Sequence, residues 1–158
     1  MTMKNNKDHG GGHAAEYVTA MIGNQLFGLP IARVQDVFML DKMTRVPLTS
    51  PDIAGILNLR GRIVTVIDMR CRLGVPQREK EPRQLAIGIE ARGESYGLLI
   101  DNIGEVLKLP ENAREVNPVN LDARLAQVSS GIYRLEAQLL VILDVDRVLQ
   151  VGRETKAA

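Results

Sequence analysis

The sequence predicts an all-β protein with short helical turns, folded as two small five-stranded barrels packed side by side. Two observations carry that expectation. The first is an internal repeat. Leu26–Phe38 returns 69 positions later as Ser95–Leu107, with Phe27 over Tyr96, Gly28 over Gly97 and Val37 over Val106. Ala54–Leu73 returns 76 positions later as Ser130–Leu149, with Gly55 over Gly131, Leu59 over Leu135 and Asp68 over Asp144. Two segments recurring in the same order imply a duplicated structural unit. The second observation is texture: from Tyr17 onward, short aliphatic and β-branched runs are broken by Gly, Asn and Pro, the pattern of strands and turns.

Each half reads as the same five strands. Tyr17–Met21, the turn Gly23-Asn24 and Gln25–Leu29 form a hairpin, repeated as Arg83–Ile89, Ala91-Arg92-Gly93 and Glu94–Ile100. Val34–Leu40 and Ile103–Leu109 are the third strands. Loops with Pro47 and Pro51, and with Pro110 and Pro118, follow them; proline cannot extend a ladder. The strongest pairs come last: Ile53–Leu59 turning into Ile63–Ile67, and Val128–Leu135 turning into Gln138–Leu143. Asp68 and Asp144 then precede short apolar-spaced segments, which suits a helical turn capped by the carboxylate. Five short strands curl readily into a closed barrel, which removes exposed edges.

Residues 1–15 are polar and Gly-rich and are expected to be disordered. Residues 16–151 form one domain, with the first barrel at about 17–80 and the second at about 81–151, and residues 152–158 form a flexible tail. A unit of about 60 residues buries only ~60% of its unfolded surface, so the halves should pack as one body.

Bulk composition narrows the function. With 20 basic and 19 acidic residues there is no broad phosphate-binding field. Aromatic residues are 3% of the chain and Trp is absent, which leaves few stacking platforms for nucleic acid. Cys71 is the only cysteine, so no intrachain disulfide can form, and its apolar surroundings read as a buried, inert thiol. The longest apolar run, Leu139–Leu143, is too short to cross a bilayer, and Met1–Glu16 has no secretory core. The expected location is the cytoplasm, without membrane insertion.

Candidate catalytic groups are few. Asp68 and Asp144 could be paired carboxylates, but they recur at equivalent positions where a helix start needs a cap. The histidines, His9 and His13, lie in the leader and make a poor metal site, so no Ser-His-Asp set is available. No phosphate-cradling or dinucleotide-binding glycine motif occurs, and no metal-ligand set. The reading is a non-enzyme without cofactor or metal. The copies part at one hairpin tip: Asn58-Leu59-Arg60-Gly61-Arg62 stands against Arg134-Leu135-Glu136-Ala137-Gln138. Gly61 against Ala137 suggests a tighter turn or positive φ in the first copy. The tip is either a solvated turn free to drift or a site.

The run Gly55–Arg70 (GILNLRGRIVTVIDMR) closely resembles the signature G-x-x-N-L-R-G-x-I-x-P-V-x-D-L-R of the CheW-like chemotaxis coupling proteins. Phe27–Val37, Tyr96–Asp101 and Leu139–Asp144 extend the resemblance over about Tyr17–Val151. Asp36 departs from the family's glutamate and Thr65 from its proline. The resemblance implies two Src-homology-3-like barrels in a non-enzymatic adaptor. Such an adaptor couples chemoreceptor cytoplasmic hairpin tips to the regulatory domain of a chemotaxis histidine kinase and supports signalling-array assembly. It implies a kinase-docking face with Asp36, Val37, Phe38, Met39, Asn58, Arg60 and Gly61, in which Asp36 pairs with Arg60. It also implies a receptor groove with Ile31, Val34, Ile100 and Ile103. An adaptor of a non-flagellar pathway such as pilus motility is the alternative within the fold. A small β-barrel nucleic-acid binder is the rival from another class, opposed by the near-neutral charge and few aromatics.

Overall fold

The computed structural model describes residues 13–40, 43–44, 50–77 and 84–150. Most of the leader, the 152–158 tail and Pro47 lie outside them. Ten strands form two five-stranded sheets, joined by short helices and 3-10 turns. In chain order the strands are β1 (Ala14–Ile22), β2 (Gln25–Pro30), β3 (Val34–Leu40), β4 (Ile53–Leu59) and β5 (Arg62–Asp68). They continue with β6 (Gln84–Ala91), β7 (Glu94–Ile100), β8 (Asn102–Pro110), β9 (Ser129–Arg134) and β10 (Leu139–Leu143). Helices α1 (Met69–Leu73) and α3 (Val145–Val148) sit at the repeat ends, and α2 (Ala123–Val128) lies between β8 and β9.

The repeat is present, but it is not divided at residue 80. One sheet has the order β3-β6-β7-β5-β4 and the other β8-β1-β2-β10-β9. The first barrel is therefore the middle of the chain, residues 34–100, and the second is assembled from both ends. Each repeat's opening hairpin is inserted between the third strand and the closing hairpin of the other repeat. The parallel pairings obey the repeat: Phe27 lies opposite Val141, and its counterpart Tyr96 opposite Thr65. The exchange follows from burial. The inserted strand β6 reads Ala86, Ile87, Gly88 and Ile89, all buried, so it needs cover on both faces.

The main core lies between the barrels, where Phe27 and Leu29 of β2 meet Ile67, Ile87, Ile89 and Leu98 of the first barrel and Val141 and Leu143 of the second. A smaller cluster of Tyr17, Tyr133, Leu140 and Ile142 fills the second barrel. Each barrel is closed by a bridge from the segment after its outer strand: Thr44 to Ile56, and Glu115 to Ile132.

Two local expectations are corrected. The first strand begins at Ala14, because Ala14 and Ala15 pair with Pro110 and Leu109 of β8; the leader's last residues are ordered. Val128 ends a helix rather than beginning a strand, since Asp122 accepts from the Arg124 amide at 2.8 Å and starts α2.

The capping aspartates are where the repeat places them. Asp68 accepts from the Cys71 amide at 3.2 Å and Asp144 from the Arg147 amide at 3.3 Å. Arg72, buried in α1, donates to the carbonyls of Arg147 and Val148 at 2.9 and 3.3 Å. This joins the helical end of one repeat to that of the other.

Candidate functional site

The candidate docking residues lie on the first barrel, at both ends of its sheet. The β4–β5 hairpin turns in two residues, Arg60 (φ 54°) and Gly61 (φ 82°). Positive φ at both central positions makes a type I′ turn, whose twist matches that of the paired strands. Asn58 closes it: its Oδ1 accepts the Gly61 amide at 2.9 Å. A Cβ at Gly61 would meet nothing within 4 Å, so glycine is there for its φ and not for space. The equivalent loop of the other copy is longer, closed by the Leu135 amide on the Gln138 carbonyl at 2.9 Å, and Ala137 is not at positive φ. The difference seen in sequence is thus a difference in turn type. It leaves Arg60 at an exposed apex.

Strand β3 is the other edge. It alternates half-buried and exposed residues from Val34 to Leu40. Val37 and Met39 face outward, 40% and 48% exposed, beside the inter-barrel core. Asp36 and Phe38 face into the barrel. The Phe38 ring lies over the bare backbone of β6 and β7, with its Cζ 3.3 Å from where a Gly97 Cβ would be. A side chain at Gly88 would run into the Asp36 carboxylate. Phe38 therefore supports β3 from within and is not part of the outward apolar face.

Because β3 is antiparallel to β6 and β6 to β7, β3 runs with β7 and with β5. By register Asp36 lies level with Gly88, Gly97 and Val66, four residues along β5 from Arg62. No ion pair joins Asp36 to Arg60 among the described residues. The inward turn of the Asp36 side chain, behind a register shift between Val34 and Asp36, accounts for its absence.

The four groove residues divide. Ile31, on a 3-10 turn after β2, and Ile103 on β8 are each 40% exposed. Ile100 is only 7% exposed and belongs to the inter-barrel core, and Val34 packs half-buried against it. Ile31 and Ile100 are repeat partners, as are Val34 and Ile103, so each pair has one member outside and one inside.

Ion pairs mark the seam between the barrels. Arg70 grips Asp101 through two contacts, Nη2–Oδ2 at 2.7 Å and Nε–Oδ1 at 3.0 Å. The Gly23 amide, at the β1–β2 turn, adds a third contact to Asp101 at 2.7 Å. Asp146, the repeat counterpart of Arg70, meets Arg33 at 3.4 Å in the open. Burial, a hydrogen bond to Asp52 and the Asp52 and Asp68 charges push the Cys71 thiol up to about 12. It is a poor nucleophile. Among the described residues no cluster of His, Cys, Asp and Glu could hold a metal, and no helix is long and apolar enough to cross a membrane.

Sequence reasoning passed over Ile63, which is 60% exposed beside Arg62 on the same hairpin, and Arg92. The available signal was the Arg-Gly pair, which recurs at Arg92-Gly93.

Comparison with known proteins agrees with this architecture. The CheW-like domain family matches residues 16–153. The chain is 30% identical over 132 residues to the chemotaxis protein CheW of Bacillus subtilis, covering 84% of this chain and 85% of that protein. It is 24% identical over 135 residues to the chemotaxis protein CheW of Thermotoga maritima, covering 85% and 87%. The crystal structure of the scaffolding protein TtCheW from Thermoanaerobacter tengcongensis superposes with a TM-score of 0.73 at 31% identity, over 83% of this chain and 89% of that one.

Proposed function

The chain belongs to the CheW-like domain family, and from that premise we propose that it is a non-enzymatic chemotaxis scaffold coupling chemoreceptor tips to the regulatory domain of a histidine kinase. It acts in the cytoplasm, at receptor arrays. The observation that carries the reading is the Asn58–Gly61 turn, which holds Arg60 at an exposed apex in one copy of a duplicated barrel and has no counterpart in the other.

In this reading the kinase regulatory domain docks on the first barrel. Arg60 is the charged contact, Val37 and Met39 the apolar ones, and exposed apolar residues rimmed by charge are what a protein interface needs. Asn58 and Gly61 hold the apex; Phe38 and Asp36 hold β3. The receptor hairpin lies along the seam, touching Ile31 and Ile103, while Val34 and Ile100 fix the floor beneath. Arg60→Glu should abolish capture of the kinase regulatory domain in a pull-down and leave the circular dichroism spectrum and melting curve nearly unchanged. Full capture by that variant, or loss of its fold, refutes the role given to Arg60.

A further inference from the structure

The barrel end that carries Arg60 has a second arginine turn beside it. The β6–β7 hairpin turns through Arg92 (φ 54°) and Gly93 (φ 78°), the same type I′ geometry as Arg60-Gly61. Strands β5 and β7 are parallel, with Val64 opposite Ser95, so both turns open at the same end of the sheet. Arg62 bridges them, its Nη1 donating to the Ser95 hydroxyl at 3.2 Å. Ile63, the next residue of β5, is 60% exposed on the opposite face of the strand from Arg62.

Three features mark this end as built for contact. The first central position of a type I′ turn favours Asn, Asp or Gly, and a bulky residue in the left-handed region stores strain of about 1 kcal/mol or more. Two neighbouring turns nevertheless carry arginine there. None of Arg60, Arg62 and Arg92 is in an ion pair with a described residue. The nearby carboxylates are turned to other neighbours: Glu94 accepts from the Tyr96 hydroxyl at 2.7 Å and Glu90 from Gln35 at 2.9 Å. Finally, the repeat-equivalent tips of the second barrel, Gly23-Asn24 and Glu136-Ala137, carry no arginine, so the feature does not come with the fold.

We infer that Arg60, Arg62 and Arg92 form an arginine fork across the two adjacent turns that docks a carboxylate-rich patch of a partner protein. This rests on the reading above, with the kinase regulatory domain as the partner, and deepens it. The docking face extends from the signature turn across the next hairpin, and its partner surface is acidic. Arginine suits this because its planar fork pairs bidentately with carboxylates. Binding should therefore weaken steeply as salt rises.

The test is a titration of the whole chain with the purified kinase regulatory domain at rising salt. Arg92→Asn puts the preferred Asn-Gly pair into the turn, so its melting temperature should equal or exceed the parent's. It should bind about tenfold more weakly, with a flatter salt dependence, while Arg92→Lys, which keeps the charge but not the fork, restores the salt dependence and only part of the affinity. If Arg60→Asn weakens binding and Arg92→Asn does not, the fork is wrong and the kinase reading stands. If the parent does not bind the domain, both fail. Arg92-dependent binding to a short DNA duplex, with no effect of Arg92 on the kinase domain, would overturn the protein partner.

Discussion

Asp101→Asn should destabilise the protein several-fold more than Asp146→Asn, which removes the carboxylate of the exposed seam pair. Asp146 is the repeat counterpart of Arg70, so each copy contributes the opposite charge to its seam pair. Asp101 is held by Arg70 and the Gly23 amide, and the side chains of the pair are 9% and 17% exposed. Removing one partner of a buried pair costs about 3–5 kcal/mol, because the other charge stays buried. Asparagine keeps the shape and one acceptor, so the lower end applies. At about 2–4 °C per kcal/mol for a domain of this size, the melting temperature should fall by roughly 6–12 °C. Asp146 is 63% exposed and Arg33 32%; a solvated pair is worth about 0–1 kcal/mol, and its loss should move the melt by less than about 4 °C. Calorimetry of the two variants beside the parent decides it. Equal shifts, or an unmoved Asp101→Asn, would refute the claim that the seam is fastened at one end by a buried pair.

Other expectations follow from the same contacts. Gly61→Ala should cost about 1 kcal/mol in urea denaturation through its positive φ alone, while Gly61→Asn, which tolerates that φ, should cost less; a reversed order would mean that a steric clash is in control. Phe27→Ala, emptying a fully buried site in the core shared by both barrels, should cost about 3–5 kcal/mol and leave a single cooperative transition. Two separated transitions would show that the barrels are independent. The Cys71 thiol, pushed up to about 12 by burial and by Asp52, should react with iodoacetamide at pH 8 far more slowly in the folded than in the unfolded protein. Its contribution to stability is full below about pH 9 and is lost as pH rises toward 12, because the unfolded thiol ionises first. Alkylation of folded protein at the unfolded rate would contradict this.

The elements and their order were legible in the sequence because the repeat doubles every signal. Asp68 and Asp144 were readable as caps, and the Gly61–Ala137 mismatch as a change of turn. What could not be read was which hairpin joins which barrel. The parallel pairing of β2 with β10 is non-local, and apolar runs buried on both faces fit either partner. The direction of side chains on β3 was hidden for a related reason: alternation gives two faces without saying which is inside. The bulge between Val34 and Asp36 is invisible in the sequence. Alternation does, however, separate Phe38 from Val37 and Met39, since the three cannot all share one face of a strand. Ile100 was misplaced because its repeat partner Ile31 sits at the surface, and duplication conserves position better than burial. Arg92 was read as turn chemistry only, since its neighbour Arg62 comes alongside through the parallel β5–β7 pairing.

The claim at the centre of this account is that one chain holds receptor and kinase together. It is tested most directly by immobilising the chemoreceptor's cytoplasmic hairpin and measuring capture of the kinase regulatory domain with and without this protein. Capture should occur only when the chain is present, and should be lost with Arg60→Glu while the chain itself still binds the hairpin. Equal capture without the chain, or displacement of the hairpin by the kinase domain, would contradict it.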